Sequence, residues 1–187
     1  MESKEEKIVG ECKNGNLNKF GELYELYADR IYKFIYFKTH HKETAEDLTS
    51  QTFFKALEAI GGFDFGKGYF SSWLYLIAKN TVIDYYRTKK SEIDVSDVWD
   101  LSDKEDIERD SEYKDQLEKV EKYLKNLKPE QREIILMRVW QDIPYKEIAE
   151  IIGKSEANCK MIFSRAINQL RKEEIFALII LLALIKI

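Results

Sequence analysis

Apolar residues recur at intervals of three and four along most of this chain, which is the spacing of one face of an α-helix. The first such segment runs from Phe20 to Phe37. With the capping signals at their ends, these intervals predict helices over residues 20–37, 44–60, 73–88, 113–127, 129–140, 145–152 and 155–171. Only two prolines and eight glycines occur. Because residues that break helices are scarce, the pattern predicts an all-α protein.

The predicted helices fall into two groups, separated by a weakly periodic segment. We therefore expect two small helical domains, at residues 15–90 and 113–172. The segment between them, 91–112, is interpreted as an acidic linker. No internal repeat or low-complexity tract interrupts this organisation.

An apolar tail, residues 173–187, follows the second group. Its run of eleven apolar residues from Ile175 to Ile185 is too short to cross a bilayer, which takes about 20. Docking in a groove of the second domain or of a partner is favoured over shallow membrane association. The sequence leaves the role of the tail open.

Charge is distributed unevenly. Residues 67–90 carry five basic and one acidic side chain, residues 128–172 carry nine and six, and residues 91–127 carry six and thirteen. Two basic stretches separated by an acidic one indicate two nucleic-acid contacts. Cys12 and Cys159 are far apart and form no metal-binding pattern. The charged N-terminus lacks the apolar core of a signal peptide, so a reducing cytoplasm is expected.

Residues 144–171 have the pattern of a helix-turn-helix, with a short helix, a turn containing Gly153 and a longer helix. The predicted contact between the two helices joins Ile148, Ala149 and Ile152 to Cys159, Phe163, Ala166 and Leu170. The opposite face would present side chains that reach bases and phosphates in a major groove, namely Ser155, Glu156, Asn158, Lys160, Met161, Ser164, Arg165 and Asn168. From spacing alone, an ordinary helical hairpin with a solvated polar face explains the pattern equally well.

Residues 63–90 combine aromatic and cationic side chains, which is what single-stranded nucleic acid requires for stacking and for charge neutralisation. The predicted single-strand contacts are Phe63, Phe65, Lys67, Tyr69, Phe70, Asn80, Arg87, Lys89 and Lys90. Trp73, Leu74 and Ile77 are better explained as core, and Asp84 with Arg87 as a local ion pair. For residues 63–70 a surface role is favoured, because buried loops are rare.

Three stretches resemble a known family: AEDLTSQTFFKAL at 45–57, FSSWLYLIAKNTVIDYYR at 70–87 and LKPEQREIILMRVWQDIPYKEIAEIIGKSEANCKMIFSRAINQL at 127–170. In this order they resemble regions 2 and 4 of the extracytoplasmic-function (ECF) group of bacterial sigma factors, over about residues 15–172. The resemblance implies a region 2 helical bundle and a region 4 helix-turn-helix. It also implies a DNA-binding transcription initiation factor of the cytoplasm that has no enzymatic activity.

The resemblance further implies roles for particular residues and partners. Asp47, Gln51 and Phe54 would bind the clamp of the largest subunit of core RNA polymerase. The loop at 61–70 would hold a flipped base of the minus-ten element, with Asn80 and Arg87 near the melted strand. The helix from Glu156 would read the minus-thirty-five duplex, and the acidic linker would lie near the active-site and RNA-exit channels. An anti-sigma protein is an expected partner, one that tethers the chain at the inner membrane in some family members.

The chain departs from the family pattern in its recognition helix, where Met161 and Ile162 stand in place of a Ser-Arg pair. One cationic phosphate contact is thereby lost, and more of that role falls to Lys160 and Arg165.

Two other classes of function compete with this interpretation. A stand-alone helix-turn-helix regulator would bind duplex DNA without polymerase, but it has no need of the aromatic and basic stretch at 63–90. An enzyme would need catalytic or metal-binding groups, and His40 and His41, being adjacent, point in different directions on a helix. We therefore expect no metal, no cofactor and no small-molecule substrate.

Overall fold

Helices make up most of residues 4–39, 41–89, 124 and 126–171, which are the residues that the computed structural model describes. The seven α-helices among them are α1 (Lys4–Lys13), α2 (Phe20–Thr39), α3 (Lys42–Ala59), α4 (Phe70–Lys89), α5 (Pro129–Ile135), α6 (Tyr145–Ile152) and α7 (Glu156–Arg171). The chain divides into two compact units, Met1–Asp103 and Lys104–Ile187. The all-α prediction is confirmed.

In the first unit, α2, α3 and α4 pack against one another in all three pairings. The predicted apolar face of α2 is buried at every position, Phe20, Leu23, Tyr27, Ile31 and Phe34. On the facing helix, the ring of Tyr75 meets that of Phe34 edge to face at 5.1 Å, an arrangement that aromatic quadrupoles favour. The periodicity of the sequence therefore identified the core of this unit correctly.

Two helix starts differ from the prediction. Helix α3 begins at Lys42 rather than Thr44, because the His41 ring caps it by accepting a hydrogen bond from the Thr44 backbone N–H at 3.1 Å. Helix α4 begins at Phe70 rather than after Ser72, and Ser72 is buried inside it. In both cases the serine or threonine lies within the first turns instead of preceding them.

Helix α1 was not predicted, yet it packs against the first unit. Its apolar side chains Ile8, Val9 and Cys12 are buried, and it contacts α2. The Tyr27 hydroxyl of α2 donates a hydrogen bond to the Glu5 carboxylate of α1. With only three apolar positions in ten residues, the segment carries too weak a periodic signal to identify from sequence.

The second unit is built around α5, α6 and α7. Pro129 opens α5 as predicted, and the Gln131 side chain accepts a hydrogen bond from the Lys128 N–H at 2.9 Å. The chain continues as a π-helical turn, Leu136–Trp140, and then passes through Asp142, whose φ of 50° is left-handed. The core cluster comprises Leu124, Leu127, Ile135, Ala166 and Leu170.

Several sequence predictions fall outside the described residues. They concern the linker at 91–112, the helix over 113–123, the tail at 173–187, and the side chains of His40, Lys89 and Lys90. Among the helices that the structure does describe, none is both long enough and apolar enough to cross a membrane.

Candidate nucleic-acid interface

The loop between α3 and α4 is held in shape by local hydrogen bonds. It contains two 3₁₀ turns, Ile60–Gly62 and Phe65–Lys67. The Asp64 carboxylate accepts a hydrogen bond from the Gly66 N–H at 2.9 Å. Gly68 then adopts φ 150° and ψ −172°, a backbone region that is essentially open only to glycine. These features give the loop a defined path between its aromatic residues.

Within this loop the aromatic rings divide into an inner and an outer set. Phe63 and Phe70 are 5% and 0% exposed, whereas Phe65 and Tyr69 are 37% and 45% exposed. Lys67 is also exposed. We expected all four rings to contact single-stranded DNA. Because protein covers both rings of the inner set, we assign Phe63 and Phe70 to the core, and only the outer set has a face to stack on a base.

The inner rings support the outer ones. Phe63 lies 4.8 Å from Phe65, 5.6 Å from Phe70 and 5.3 Å from Trp73, measured between ring centroids. Phe65 therefore packs against a buried aromatic ring instead of projecting freely into solvent. Such packing restricts the ring and lowers the conformational entropy lost when a base stacks on it.

Helix α4 extends this surface with polar and cationic groups. Asn80 and Arg87 are exposed and, with Trp73, recur every seven residues, so they share one helix face. The predicted Asp84–Arg87 ion pair is present at 3.0 Å, with the Arg87 side chain 76% exposed. Lys89 ends the helix. Arg87 can thus exchange its carboxylate partner for a phosphate at little cost, since exposed ion pairs are weak.

One cation at this surface, Lys55 of α3, was not among the predicted contacts. Its ammonium group donates a hydrogen bond to the Thr81 hydroxyl at 3.1 Å and lies 3.8 Å from the Asp84 carboxylate. Asp84 therefore lies between Lys55 and Arg87. The two lysine contacts join residues 26 and 29 positions apart in the chain, a separation at which no sequence pattern predicts contact.

The predicted polymerase-binding residues lie together on α3. Asp47, Gln51 and Phe54 are all exposed, and intervals of four and three place them on one face. Phe54 is 60% exposed, which is unusual for so large an apolar side chain. Between α2 and α3 there is also an open groove of about 370 Å³, whose lining includes Tyr24, Tyr32, Asp29 and Glu46.

In the second unit α6 and α7 form the predicted helix-turn-helix. Gly153 ends α6 with φ 74°, and its N–H and that of Lys154 both donate to the Ala149 carbonyl at 2.9 Å. Left-handed glycine with this pair of bonds is a common way to end a helix. The Ser155 hydroxyl then accepts from the Asn158 N–H at 3.2 Å, as its predicted capping role requires.

The two helices bury their facing sides against each other. Ile148, Ala149 and Cys159 are buried as predicted. Ala166 and Leu170 are buried too, but in the cluster with Leu124, Leu127 and Ile135, against which the partly buried Phe163 also packs. Ile151 is buried in place of Ile152, which is half-exposed. Burial raises the pKa of the Cys159 thiol, so this cysteine stays protonated in the core.

The opposite side of α7 carries the predicted duplex-binding residues. Lys160, Met161, Ser164, Arg165 and Asn168 are exposed, while Glu156 and Asn158 are half-buried. Lys160 forms an ion pair with Glu156 at 2.6 Å, and this contact lowers the pKa of the Glu156 carboxyl. Its ammonium group also lies 5.8 Å from the centre of the Tyr145 ring. Lys160 is thus held in place by contacts with Glu156 and Tyr145.

No cluster of three or more metal-ligating side chains occurs among the residues described. Because the His41 ring caps α3, it has a structural role there.

Comparison with known proteins agrees with these two units. The family model for sigma-70 region 2 matches residues 23–92, and that for sigma-70 region 4 matches residues 117–170. The ECF RNA polymerase sigma factor SigM of Bacillus subtilis is 31% identical over 151 residues, covering 80% of this chain and 91% of SigM. The ECF RNA polymerase sigma factor BldN of Streptomyces coelicolor is 33% identical over 170 residues. That match covers 88% of this chain but only 64% of the length of BldN.

A solved structure resembles the chain as well. The sigma factor RpoE from Bartonella quintana, solved in complex with the anti-sigma factor NepR, gives a TM-score of 0.64 at 26% identity, covering 82% of this chain and 94% of that one. Two region models in the expected order, and relatives matched over most of their length, confirm the resemblance found in the sequence. The chain belongs to the ECF group of RNA polymerase sigma factors.

Proposed function

We propose that this chain binds core RNA polymerase in the cytoplasm and directs it to a set of promoters, with different surfaces of its two units contacting DNA. The observation that carries this proposal is the exposed ring pair Phe65 and Tyr69 on one unit and a capped helix-turn-helix on the other. One unit suits unpaired bases and the other suits duplex. Binding energy alone drives the process, and no covalent step is needed.

In the first unit, the outer rings of the loop would stack on unpaired bases of the minus-ten element. Extruding a base from a duplex costs a few kcal/mol. Stacking returns about 1–3 kcal/mol per base, so two rings can offset that cost. Asn80 would hydrogen-bond a base edge, and Lys55, Lys67, Arg87, Lys89 and Lys90 would hold the phosphates.

In the second unit, α7 would lie in the major groove of the minus-thirty-five duplex. Lys160 and Arg165 would contact phosphate or guanine, the exposed Met161 side chain suits contact with a thymine methyl, and Ser155, Glu156, Asn158 and Ser164 would complete the polar surface. The Glu156–Lys160 ion pair competes with phosphate for the ammonium group. We therefore propose that Arg165, for which no ion pair is found within the described residues, contributes more to duplex binding than Lys160 does.

The exposed face of α3 would bind the polymerase clamp. A large apolar ring flanked by polar groups is typical of residues that dominate the energy of an interface. Phe54, with Asp47 and Gln51 on the same face, fits that description. Once both units are held on polymerase, each DNA contact raises the effective concentration of the other, so two weak contacts give selective binding.

An anti-sigma protein is the partner we propose for the inactive state. RpoE is held by NepR in its solved complex. A protein that covered Phe54 and Phe65 of this chain would block polymerase and DNA together. Co-expression with the product of the neighbouring gene, followed by transcription assays with and without that product, tests this part of the proposal.

The central experiment is run-off transcription with core polymerase on a library of promoter fragments. We expect specific transcripts only when this chain is added, and weak duplex binding by the chain alone. If no complex with core forms and no specific transcript appears, the proposal is wrong. Tight sequence-specific duplex binding without polymerase would instead identify a stand-alone regulator.

The polymerase contact is tested separately with Phe54→Ala. We expect at least a tenfold loss of affinity for core, since central aromatic residues of interfaces typically cost about 2 kcal/mol or more when truncated. Leu17→Ala is the matched control, because Leu17 is a large apolar residue that is 49% exposed and lies in the turn before α2. Equal losses in the two variants would show that the α3 face is not the docking surface.

A further inference from the structure

Helix α1 lies N-terminal to the part of the chain that the region 2 family model matches, which begins at residue 23. It is nevertheless part of the first unit. Val9 is completely buried, and Ile8 and Cys12 are 4% and 2% exposed. A helix that contributes three side chains to the interior affects whatever it packs against, so its contacts matter for function.

One of those contacts is with the start of the aromatic loop. Helix α1 packs against the Ile60–Gly62 turn, where the chain leaves α3 and enters the loop. Ile60 is buried there, whereas Gly61 and Gly62 have open space on their side-chain side. Because the two glycines make no side-chain contacts of their own, the start of the loop is held in place by Ile60 and by α1.

A second route links α1 to the exposed ring of the loop. The Glu5 carboxylate accepts a hydrogen bond from the Tyr27 hydroxyl. The Tyr27 ring lies 5.8 Å from Phe70, Phe70 lies 5.6 Å from Phe63, and Phe63 lies 4.8 Å from Phe65. All three ring contacts are edge to face. Contact is therefore continuous from the first turn of α1 to the half-exposed Phe65.

We propose that α1 positions the aromatic loop for base capture and that Glu5, through Tyr27, is the residue that transmits this positioning. The inference rests on the proposed role of the loop in holding unpaired bases. A segment with four glycines between residues 61 and 68 loses much conformational entropy when it closes on a base. Holding it in advance at both ends reduces that cost.

The test uses the full chain with core polymerase on a promoter obtained from the run-off library. Glu5→Ala and Tyr27→Phe each remove one partner of the hydrogen bond, and Tyr27→Phe keeps the ring. Loss of one such bond should reduce transcription from duplex promoter by about two- to tenfold. The effect should be smaller on a template already unpaired across the minus-ten element. Binding to core should be unchanged.

Two further variants separate positioning from a loss of charge or of stability. Glu5→Gln retains an acceptor and should restore most of the activity that Glu5→Ala loses. Glu11→Ala removes the same charge from the same helix, but Glu11 accepts from the Asn16 side chain, so it should change transcription by less than twofold.

The decisive measurement combines Glu5→Ala with Phe65→Ala. If α1 acts through the loop ring, the Glu5 substitution adds little once that ring is absent. The inference is overturned if the transcription defects of Glu5→Ala and Phe65→Ala multiply in full in the double variant. It is also overturned if Glu11→Ala shows a defect equal to that of Glu5→Ala. Failure of the proposed function is distinguishable, because the unsubstituted chain itself would then give no promoter-specific transcript.

Discussion

The inner and outer rings of the aromatic loop predict opposite outcomes for the same substitution two residues apart. Phe63 is 5% exposed and contacts three other rings, whereas Phe65 is 37% exposed. Phe63→Ala should leave a cavity in the core, and buried phenylalanine-to-alanine changes cost about 3–5 kcal/mol of the free energy of unfolding. Phe65→Ala removes a ring that is only partly covered and should cost about 1 kcal/mol.

The order reverses for promoter opening. Losing one stacked base at about 1–3 kcal/mol corresponds to a reduction of roughly 5- to 150-fold. We expect this loss for Phe65→Ala on duplex promoter, with recovery on a template that is already unpaired. Phe63→Ala should show a defect that follows its unfolded fraction and decreases when the assay temperature is lowered. A smaller loss should remain, because Phe65 then lacks the ring that supports it.

Urea denaturation followed by circular dichroism measures the first quantity, and run-off transcription on paired and pre-opened templates measures the second. If Phe65→Ala destabilises the protein as much as Phe63→Ala does, the division into inner and outer rings is wrong. Phe65→Ala with full activity on duplex promoter would refute the role of the outer ring in base capture.

Three further predictions follow from the remaining contacts. Asp142→Ala should lower the free energy of unfolding by roughly 1 kcal/mol, because alanine is strained at positive φ. Asp142→Gly loses the same carboxylate but should be the more stable of the two variants in urea denaturation, and the reverse order would contradict this explanation. Arg165→Ala should make the dependence of duplex binding on salt shallower by about one unit of slope, and Lys160→Ala by less, measured on holoenzyme by a salt titration; an unchanged slope for both would show that this face does not contact phosphate. Cys12 and Cys159 should react with thiol reagents only after unfolding, since burial raises the pKa of both thiols. The stability linked to their protonation is complete below the pKa of the unfolded thiols and decreases as pH rises through the pKa values of the folded protein. Rapid labelling of Cys12 at neutral pH, identified by mass spectrometry, would show that α1 is undocked.

Features encoded by neighbouring residues were predicted well. The buried face of α2 follows from the spacing of its apolar residues, which lies within one helix. Pro129, Gly153 and Ser155 all have their predicted roles at helix ends, because each acts through backbone groups no more than four residues away. The helix-turn-helix could therefore be located from sequence, and the residues exposed on the outer face of α7 could be named.

Features that depend on distant contacts were predicted poorly. Lys55 of α3 contacts Thr81 and Asp84 of α4, and no local sequence pattern predicts that contact. Helix α1 has little periodicity, and its place is fixed only by the surfaces it covers, including Tyr27. The sequence-based start of the first domain at residue 15 for this reason omitted a helix that packs on it.

The aromatic loop shows most clearly the boundary between features set by neighbouring residues and features set by distant contacts. From sequence alone, residues 63–70 present aromatic rings of similar chemistry, and a surface role was equally reasonable for each. Burial of Phe63 and Phe70 arises from Tyr27 and Trp73, on helices to either side. Sequence by itself determined six of the seven described α-helices, the helix ends at Pro129, Gly153 and Ser155, and the two basic stretches, because those signals are short-range. Only the tertiary structure decided which rings face outward, because exposure depends on which distant residues cover each one.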